Sequence, residues 1–308
     1  MKIPQFKSFV NKEDYFEIVA SAFDNKYIAE GPLGQQFKEQ LLEITGSKYG
    51  VLASNGTLAI YLALKGVGVG LGDEVLVQDL TFIASGNAVE MVGAKPVLVD
   101  IQSYDDLTID LKKAKEKITP KTKAIVIAHL FGSACTNIKE IKIFCEENDL
   151  ILVEDAAQAL AITDGKRHCG TIGKVGTFSF YADKTITTGE GGFVVTDDEK
   201  VYENMLFLRN QGRRSSGTFV HPRIGYNFRM TDLQSALGLA QLKKLDLIKK
   251  EKQIIYQLYQ KYLGGKVQFL KLHENFSFIP FRVIVFVEEA EATMALSLIH
   301  ISEPTRPY

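Results

Sequence analysis

Lys184 sits between Phe178, Ser179, Phe180, Tyr181 and Ala182 on one side and Thr187, Thr188, Gly189, Gly191 and Gly192 on the other. The apolar interleaving predicts a buried strand over 177–181 that runs out to a polar end and then a tight glycine turn. A lysine held just past a strand end, with its pKa lowered by its surroundings, can condense with a cofactor aldehyde. Taken alone, Lys184 reads as one of many solvated lysines, and the rest of the chain has to overturn that reading.

Other stretches offer partners for such chemistry. In Ser54-Asn55-Gly56-Thr57, a glycine lets the backbone approach a ligand, and free N–H groups with the Thr57 hydroxyl make a phosphate seat. Ordinary helix capping by Ser54 or Asn55 explains the same residues. Asp155, at the end of the apolar run before Ala156-Ala157-Gln158, is placed to keep a pyridine-type ring nitrogen protonated, or else to cap a following helix. Gln158, one turn on, can reach a ring substituent. Phe82, in Thr81-Phe82-Ile83-Ala84-Ser85, either stacks on a planar ring or belongs to the core. The Ser179 hydroxyl can add to the phosphate seat. In Gly225 to Asp232, Thr231 or Asp232 caps a helix, whereas Asn227 and Arg229 show no structural duty. The five histidines have no ligand-like spacing, so no metal is expected.

The elements that must position these residues follow from periodicity. Helical rhythm covers 11–24, capped by Asn11, and 37–44. Apolar strands are predicted at 50–53, 74–78, 96–99, 123–127 and 150–154, with helices near 56–65, 82–92, 108–117 and 137–148. Strands 177–181 and 192–196 continue the series. That alternation predicts an α/β fold: a mostly parallel sheet with helices on both faces. A single helix is expected from about 232 to 262, then strands at 267–272 and 278–287 of a small C-terminal domain that stops early. The expected division is a large domain over 1–245 and a bridging helix with the start of the small domain over 246–295. Leu296 to Arg306 resembles a translated transposon-end sequencing adapter, so 296–308 is expected to be a gene-assembly artefact and is left out of fold reasoning.

The 308 residues carry 36 basic and 37 acidic side chains, a net charge of -1 that offers no attraction to nucleic acid or an anionic membrane. There is no apolar run long enough to span a bilayer and no signal-peptide pattern. Cys135, Cys145 and Cys169 are widely spaced and suggest neither disulfides nor zinc. A soluble cytoplasmic protein is the expectation. Because no G-x-G-x-x-G follows the first strand, dinucleotide binding is disfavoured.

The N-G-T turn, T-F-I-A-S, V-E-D-A-A-Q, F-S-F-x-x-x-K-x-I-T-T-G-E-G-G and G-Y-N-F-R-M-T-D, in this order, resemble the DegT–StrS group of sugar-nucleotide aminotransferases over roughly residues 4–250. His221 to Asn227 is similar to the perosamine-synthase-like branch. The resemblance implies a fold-type-I pyridoxal 5′-phosphate (PLP) enzyme that moves an amino group from a donor, expected to be glutamate, onto a keto sugar of a nucleotide-diphosphate sugar. It implies Lys184 as the cofactor-linking lysine, Asp155 at the ring nitrogen, Gln158 near the ring hydroxyl and Phe82 stacked on the ring. Gly56, Thr57 and Ser179 would hold the phosphate, and Asn227 would reach the cofactor phosphate of a neighbouring subunit in an obligate homodimer with shared active sites. A dehydratase of the same fold, in which histidine replaces the lysine, is the alternative, along with a product that binds PLP without turnover. Lysine at 184 favours transamination.

Overall fold

A computed structural model describes residues 8–24, 26–214, 217, 219–273 and 276–298. Seven strands form one sheet: β1 (Tyr49–Ala53), β2 (Glu74–Gln78), β3 (Lys95–Val99), β4 (Thr122–Ala128), β5 (Ile151–Asp155), β6 (Val175–Ser179) and β7 (Gly192–Thr196). Their order is β1-β7-β6-β5-β4-β2-β3. Neighbours from β6 to β3 pair in parallel, and β7 runs antiparallel to both β1 and β6. The expected mostly parallel sheet is therefore present.

Because successive side chains of a strand face opposite sides, each strand feeds two cores. Val75, Val77, Val126, Val153 and Val194 pack under helices α3 (Gly56–Gly66), α4 (Ala84–Met91) and α7 (Glu199–Arg209). On the other face, Leu76, Ile125, Ile127 and Leu152 meet α5 (Leu111–Glu116) and α6 (Ile138–Glu147). Farther along that face, Leu52, Phe178, Phe193 and Val195 meet α1 (Lys12–Asp24), α2 (Pro32–Thr45) and α8 (Asp232–Leu242). Full burial of each large aliphatic or aromatic side chain contributes roughly 1.5–3 kcal/mol, which makes the strand ends a rigid platform.

Several expectations are revised. The strand predicted at 177–181 lies at 175–179; Phe180 N–H still donates to Gly191 O at 2.9 Å, but its carbonyl turns to accept Thr188 N–H at 2.9 Å and its ring packs edge-on against Phe37, 5.2 Å between centroids. The helix expected over 232–262 breaks at Lys243-Lys244: α8 stays buried on α1 and α2, and α9 (Leu245–Leu263) buries Ile248 in the same core and Tyr256 against Phe269 and Phe278. Thr231 caps α8 in a reciprocal box with Gln234. Asp232 instead accepts the N–H groups of Gly31, Leu33 and Gly34, capping α2 from 200 residues away in sequence terms. Helix α7, which was not anticipated, is capped by Asp198.

The strands predicted at 267–272 and 278–287 shrink to a two-residue pair, β8 (Gln268–Phe269) with β9 (Val285–Phe286). Between them, residues 276–282 fold back onto the strand-end platform. Ile279 N–H donates to Gly132 O at 3.0 Å and Phe281 N–H to Phe131 O at 3.1 Å. Gly132 has φ +89, and a Cβ there would fall 1.8 Å from Ile279 O, so only glycine permits this seam. Helix α10 (Ala290–Leu298) is the last described element, and the rest of the adapter-like stretch, 299–308, lies outside the described residues.

Candidate active site

The carboxyl ends of β1, β2, β4, β5 and β6 open into a cavity of about 610 Å³, where an open α/β sheet collects its ligands. Seven of the sequence-derived candidates line it: Gly56 and Thr57, Phe82, Asp155 and Gln158, Ser179 and Lys184. Each lies at or just beyond the end of a strand.

At one side is the N-terminus of α3. The Asn55 side chain accepts Leu58 N–H at 2.9 Å and its carbonyl accepts Ala59 N–H at 3.0 Å. Capping by Asn55 thus holds, and it leaves the N–H groups of Gly56 and Thr57 in the first turn, where helix geometry supplies no acceptor. A Cβ on Gly56 would sit 2.8 Å from Ser179 Cβ and 2.9 Å from its Oγ. Glycine therefore lets the helix end close against the end of β6, bringing N–H groups and hydroxyls together as an anion seat.

Asp155 is 5% exposed. Its Oδ2 accepts the Ser85 hydroxyl at 2.7 Å and its Oδ1 accepts Ala157 N–H at 3.1 Å. A turn follows, not a helix, so the alternative of Asp155 as a helix cap falls away. Gln158 Oε1 accepts Phe131 N–H at 2.7 Å, which leaves its NH2 as the group available to the cavity. Phe82 lies on the loop before α4 and is 65% exposed on the cavity rim, which removes its reading as core.

The Lys184 side chain is 14% exposed. Its Nζ lies 3.9 Å from Asp183 Oδ1 and 4.5 Å from the centre of the Phe281 ring. Burial pushes its pKa below the usual lysine value; Asp183 and Asp155 pull it back up and Arg282 pushes it down again, and the balance stays below. The surface-lysine alternative fails on this burial.

His129 also lines the cavity; its Nδ1 accepts Cys135 N–H, so the ring proton sits on Nε2, 2.9 Å from Glu154 Oε2. Glu154 also accepts the N–H groups of Gly170, Ile172 and Gly173. Burial opposes its charge, yet His129 and these N–H groups hold the carboxyl below the usual range. This pins the 156–174 loop, and with it Gln158, under the site.

Three cavity residues escaped sequence reasoning. Asp183 stands next to Lys184 and accepts the Arg282 guanidinium at 2.6 Å, while Arg282 stacks on Phe281 at 4.2 Å. Phe281 and Arg282 arrive through the Gly132 seam, for which no local pattern exists; adjacency to Lys184 was the available signal for Asp183. Asn227 does not line this cavity; it is exposed and bridges Asn210. Arg229 has a structural duty after all, donating to Asn210 Oδ1 at 2.7 Å. Among the described residues, no group of three or more His, Cys, Asp or Glu is placed to hold a metal ion.

The donor set suits a ligand with a phosphate at one end, a protonated ring nitrogen against a carboxylate, and an electrophilic carbon at Lys184. Comparison with known proteins agrees. A sequence profile of the DegT/DnrJ/EryC1/StrS aminotransferase family matches residues 10–301. The chain is 37% identical over 291 residues to GDP-perosamine synthase of Escherichia coli O157:H7, covering 94% of this chain and 79% of that protein. To the GDP-perosamine synthase of Vibrio cholerae it is 38% identical over 237 residues, covering 77% of this chain and 64% of the other. Among solved structures, S. venezuelae DesV superposes with a TM-score of 0.88 at 29% identity, covering 94% of this chain and 78% of that one. The PLP form of a sugar aminotransferase from Streptococcus pneumoniae superposes at 0.89 with 26% identity, covering 97% and 82%.

Proposed function

The chain belongs to the DegT/DnrJ/EryC1/StrS aminotransferase family, and from that premise we propose that it is a PLP-dependent aminotransferase. It moves an amino group, with glutamate as donor, onto a keto sugar carried on a nucleoside diphosphate, for amino sugars of a surface polysaccharide or glycoside. The observation that carries this reading is the buried Lys184 amine, sharing one cavity with the strand-end Asp155 and the α3 anion seat.

PLP, when bound, supplies an aldehyde that combines with amines and a ring that draws electrons from the adjacent carbon. The residues of the chain do the rest. Gly56, Thr57 and Ser179 would hold the phosphate, and Phe82 would cover one ring face. Asp155 would keep a proton on the ring nitrogen, and Gln158 would hydrogen-bond the ring substituent. Lys184 Nζ would anchor the cofactor and, as a free amine, would serve as the base that carries a proton between the carbon bearing the donor's nitrogen and the cofactor carbon on the other side of that nitrogen. Its lowered pKa leaves more free amine at neutral pH than a solvated lysine has.

The assembly belongs to the same reading: a homodimer with shared sites, in which exposed Asn227 serves the neighbouring subunit's cofactor phosphate. The three cysteines are buried and free, which suits a reducing cytoplasm. No described helix is long and apolar enough to cross a membrane.

The test is an ultraviolet-visible spectrum of the PLP-loaded protein with and without glutamate, followed by hydride reduction and peptide mass mapping. Glutamate should convert the aldehyde-form absorbance to the pyridoxamine form, and reduction should place the cofactor mass on Lys184. A label on another lysine, or none, overturns the proposal.

A further inference from the structure

Glu154 is fully buried, one residue before Asp155 on β5. Its Oε2 accepts Gly170 N–H at 2.8 Å and faces His129 Nε2 at 2.9 Å, and its Oε1 accepts the N–H groups of Ile172 at 2.6 Å and Gly173 at 2.5 Å. Donors converge on both oxygens, so the group is a carboxylate; a protonated oxygen would set one more donor among donors.

The side chain placed to cancel this charge is His129. Burial opposes charge on its ring, and Cys169 and Glu154 would draw its pKa up to about 10 if both nitrogens were free to carry protons. They are not, because Nδ1 accepts Cys135 N–H at 2.9 Å and a doubly protonated ring has no acceptor. His129 is therefore neutral. His168, in the loop that wraps Glu154, is neutral as well: burial pushes its pKa down to about 4, and its Nε2 accepts Ala161 N–H at 2.8 Å. Among the described residues, Glu154 has no Lys or Arg partner. Asp155 carries the next carboxylate, on the cavity side, and meets only the neutral donors Ser85 and Ala157. Two negative charges thus share one strand end, in an interior that screens them poorly.

We propose that Glu154, with His129 held neutral, is a positioning residue that acts through Asp155, adding a second buried negative charge that keeps the proton on the cofactor ring nitrogen. The inference rests on the aminotransferase reading, and it gives a role to two buried groups that the mechanism leaves unused.

Nitrogen-15 NMR of the cofactor-free protein tests the charge state first. The His129 ring should show one protonated and one bare nitrogen between about pH 6 and about pH 9, and an imidazolium there overturns the assignment. The protein is then loaded with PLP labelled at the ring nitrogen, and wild type is compared with Glu154→Gln and Thr171→Ala. Thr171→Ala removes the 2.7 Å hydroxyl bond to His168 O in the same loop, and so loosens the loop without touching a charge. Glu154→Gln should move the ring-nitrogen resonance toward that of unprotonated pyridine and lower its deprotonation midpoint by about one pH unit. Thr171→Ala should lose thermal stability and leave that resonance where the wild type has it. An unmoved resonance in Glu154→Gln, or an equal shift in Thr171→Ala, overturns the role. The wild-type imidazole spectrum needs no variant, so it decides even where Glu154→Gln does not fold. Failure of the labelled cofactor to bind the wild type would sink the aminotransferase reading instead, and the imidazole spectrum is taken without it.

Discussion

The Ser85 hydroxyl donates to Asp155 Oδ2 across 2.7 Å, with Ser85 1% and Asp155 5% exposed. Thr81 Oγ1 lies 3.1 Å from Ser85 Oγ and extends the chain outward. With Ala157 N–H on Oδ1, the carboxylate is fixed from two directions before any ring nitrogen approaches it. Ser85→Ala should cut turnover about tenfold, the size of one buried hydrogen bond to a charged group, while cofactor affinity changes little. Asp155→Asn should cost about two to three orders of magnitude, because a neutral ring is a poor electron sink. Single-turnover rates with glutamate, set beside cofactor dissociation constants, check both.

Gly56→Ala drives a methyl group to 2.8 Å from Ser179 Cβ, so either the helix end or β6 must give way. Cofactor binding should weaken about tenfold or more as the anion seat opens. Equilibrium dialysis against PLP measures the change, and dialysis against pyridoxal, which lacks the phosphate, should show little difference between the two proteins.

The unprotonated fraction of Lys184 controls how fast cofactor-free protein combines with PLP. Burial lowers its pKa, so the uptake rate should rise with pH through a midpoint below that of an exposed lysine. Asp183 pulls this pKa upward, and removing that carboxylate removes the pull. Asp183→Asn should therefore move the midpoint to lower pH, whereas Arg282→Gln, which removes a cation, should move it higher. Stopped-flow uptake across a pH series reads the sign directly.

If Asn227 serves the partner's site, two crippled chains should rescue each other. Lys184→Ala and Asn227→Ala proteins, unfolded together and refolded as a mixture, form mixed dimers in which one site has both residues intact. Activity should return to about half of the wild type per mixed dimer. No recovery, in mixtures shown to contain mixed dimers, would separate Asn227 from catalysis.

Much of this site was legible because of how its residues are ordered along the chain. Gly56, Phe82, Asp155, Ser179 and Lys184 each follow an apolar run, and parallel strands bring such positions to one edge whatever the details of packing. The run alone could not say where a strand stops, since Phe180 is as buried as Phe178 while its carbonyl already closes the turn onto Thr188 N–H. Helix α7 had a readable signal in Asp198 followed by Val201 and Met205 at helical spacing. Arg282 had none, because its place depends on backbone bonds between segments about 150 residues apart. Of the two candidate local caps, Thr231 caps α8 while Asp232 acts on a distant helix, a choice that only tertiary packing makes.

The seam between Gly132 and Ile279 ties the mouth of the site to a late stretch of chain through two main-chain bonds and a residue that tolerates no side chain. Reciprocity then applies: a ligand that presses on Phe281 and Arg282 raises the free energy of peeling 276–282 away, and whatever loosens that stretch weakens the ligand by the same factor. Occupancy of the mouth and protection of those amides from hydrogen exchange are thus two readings of a single coupling energy.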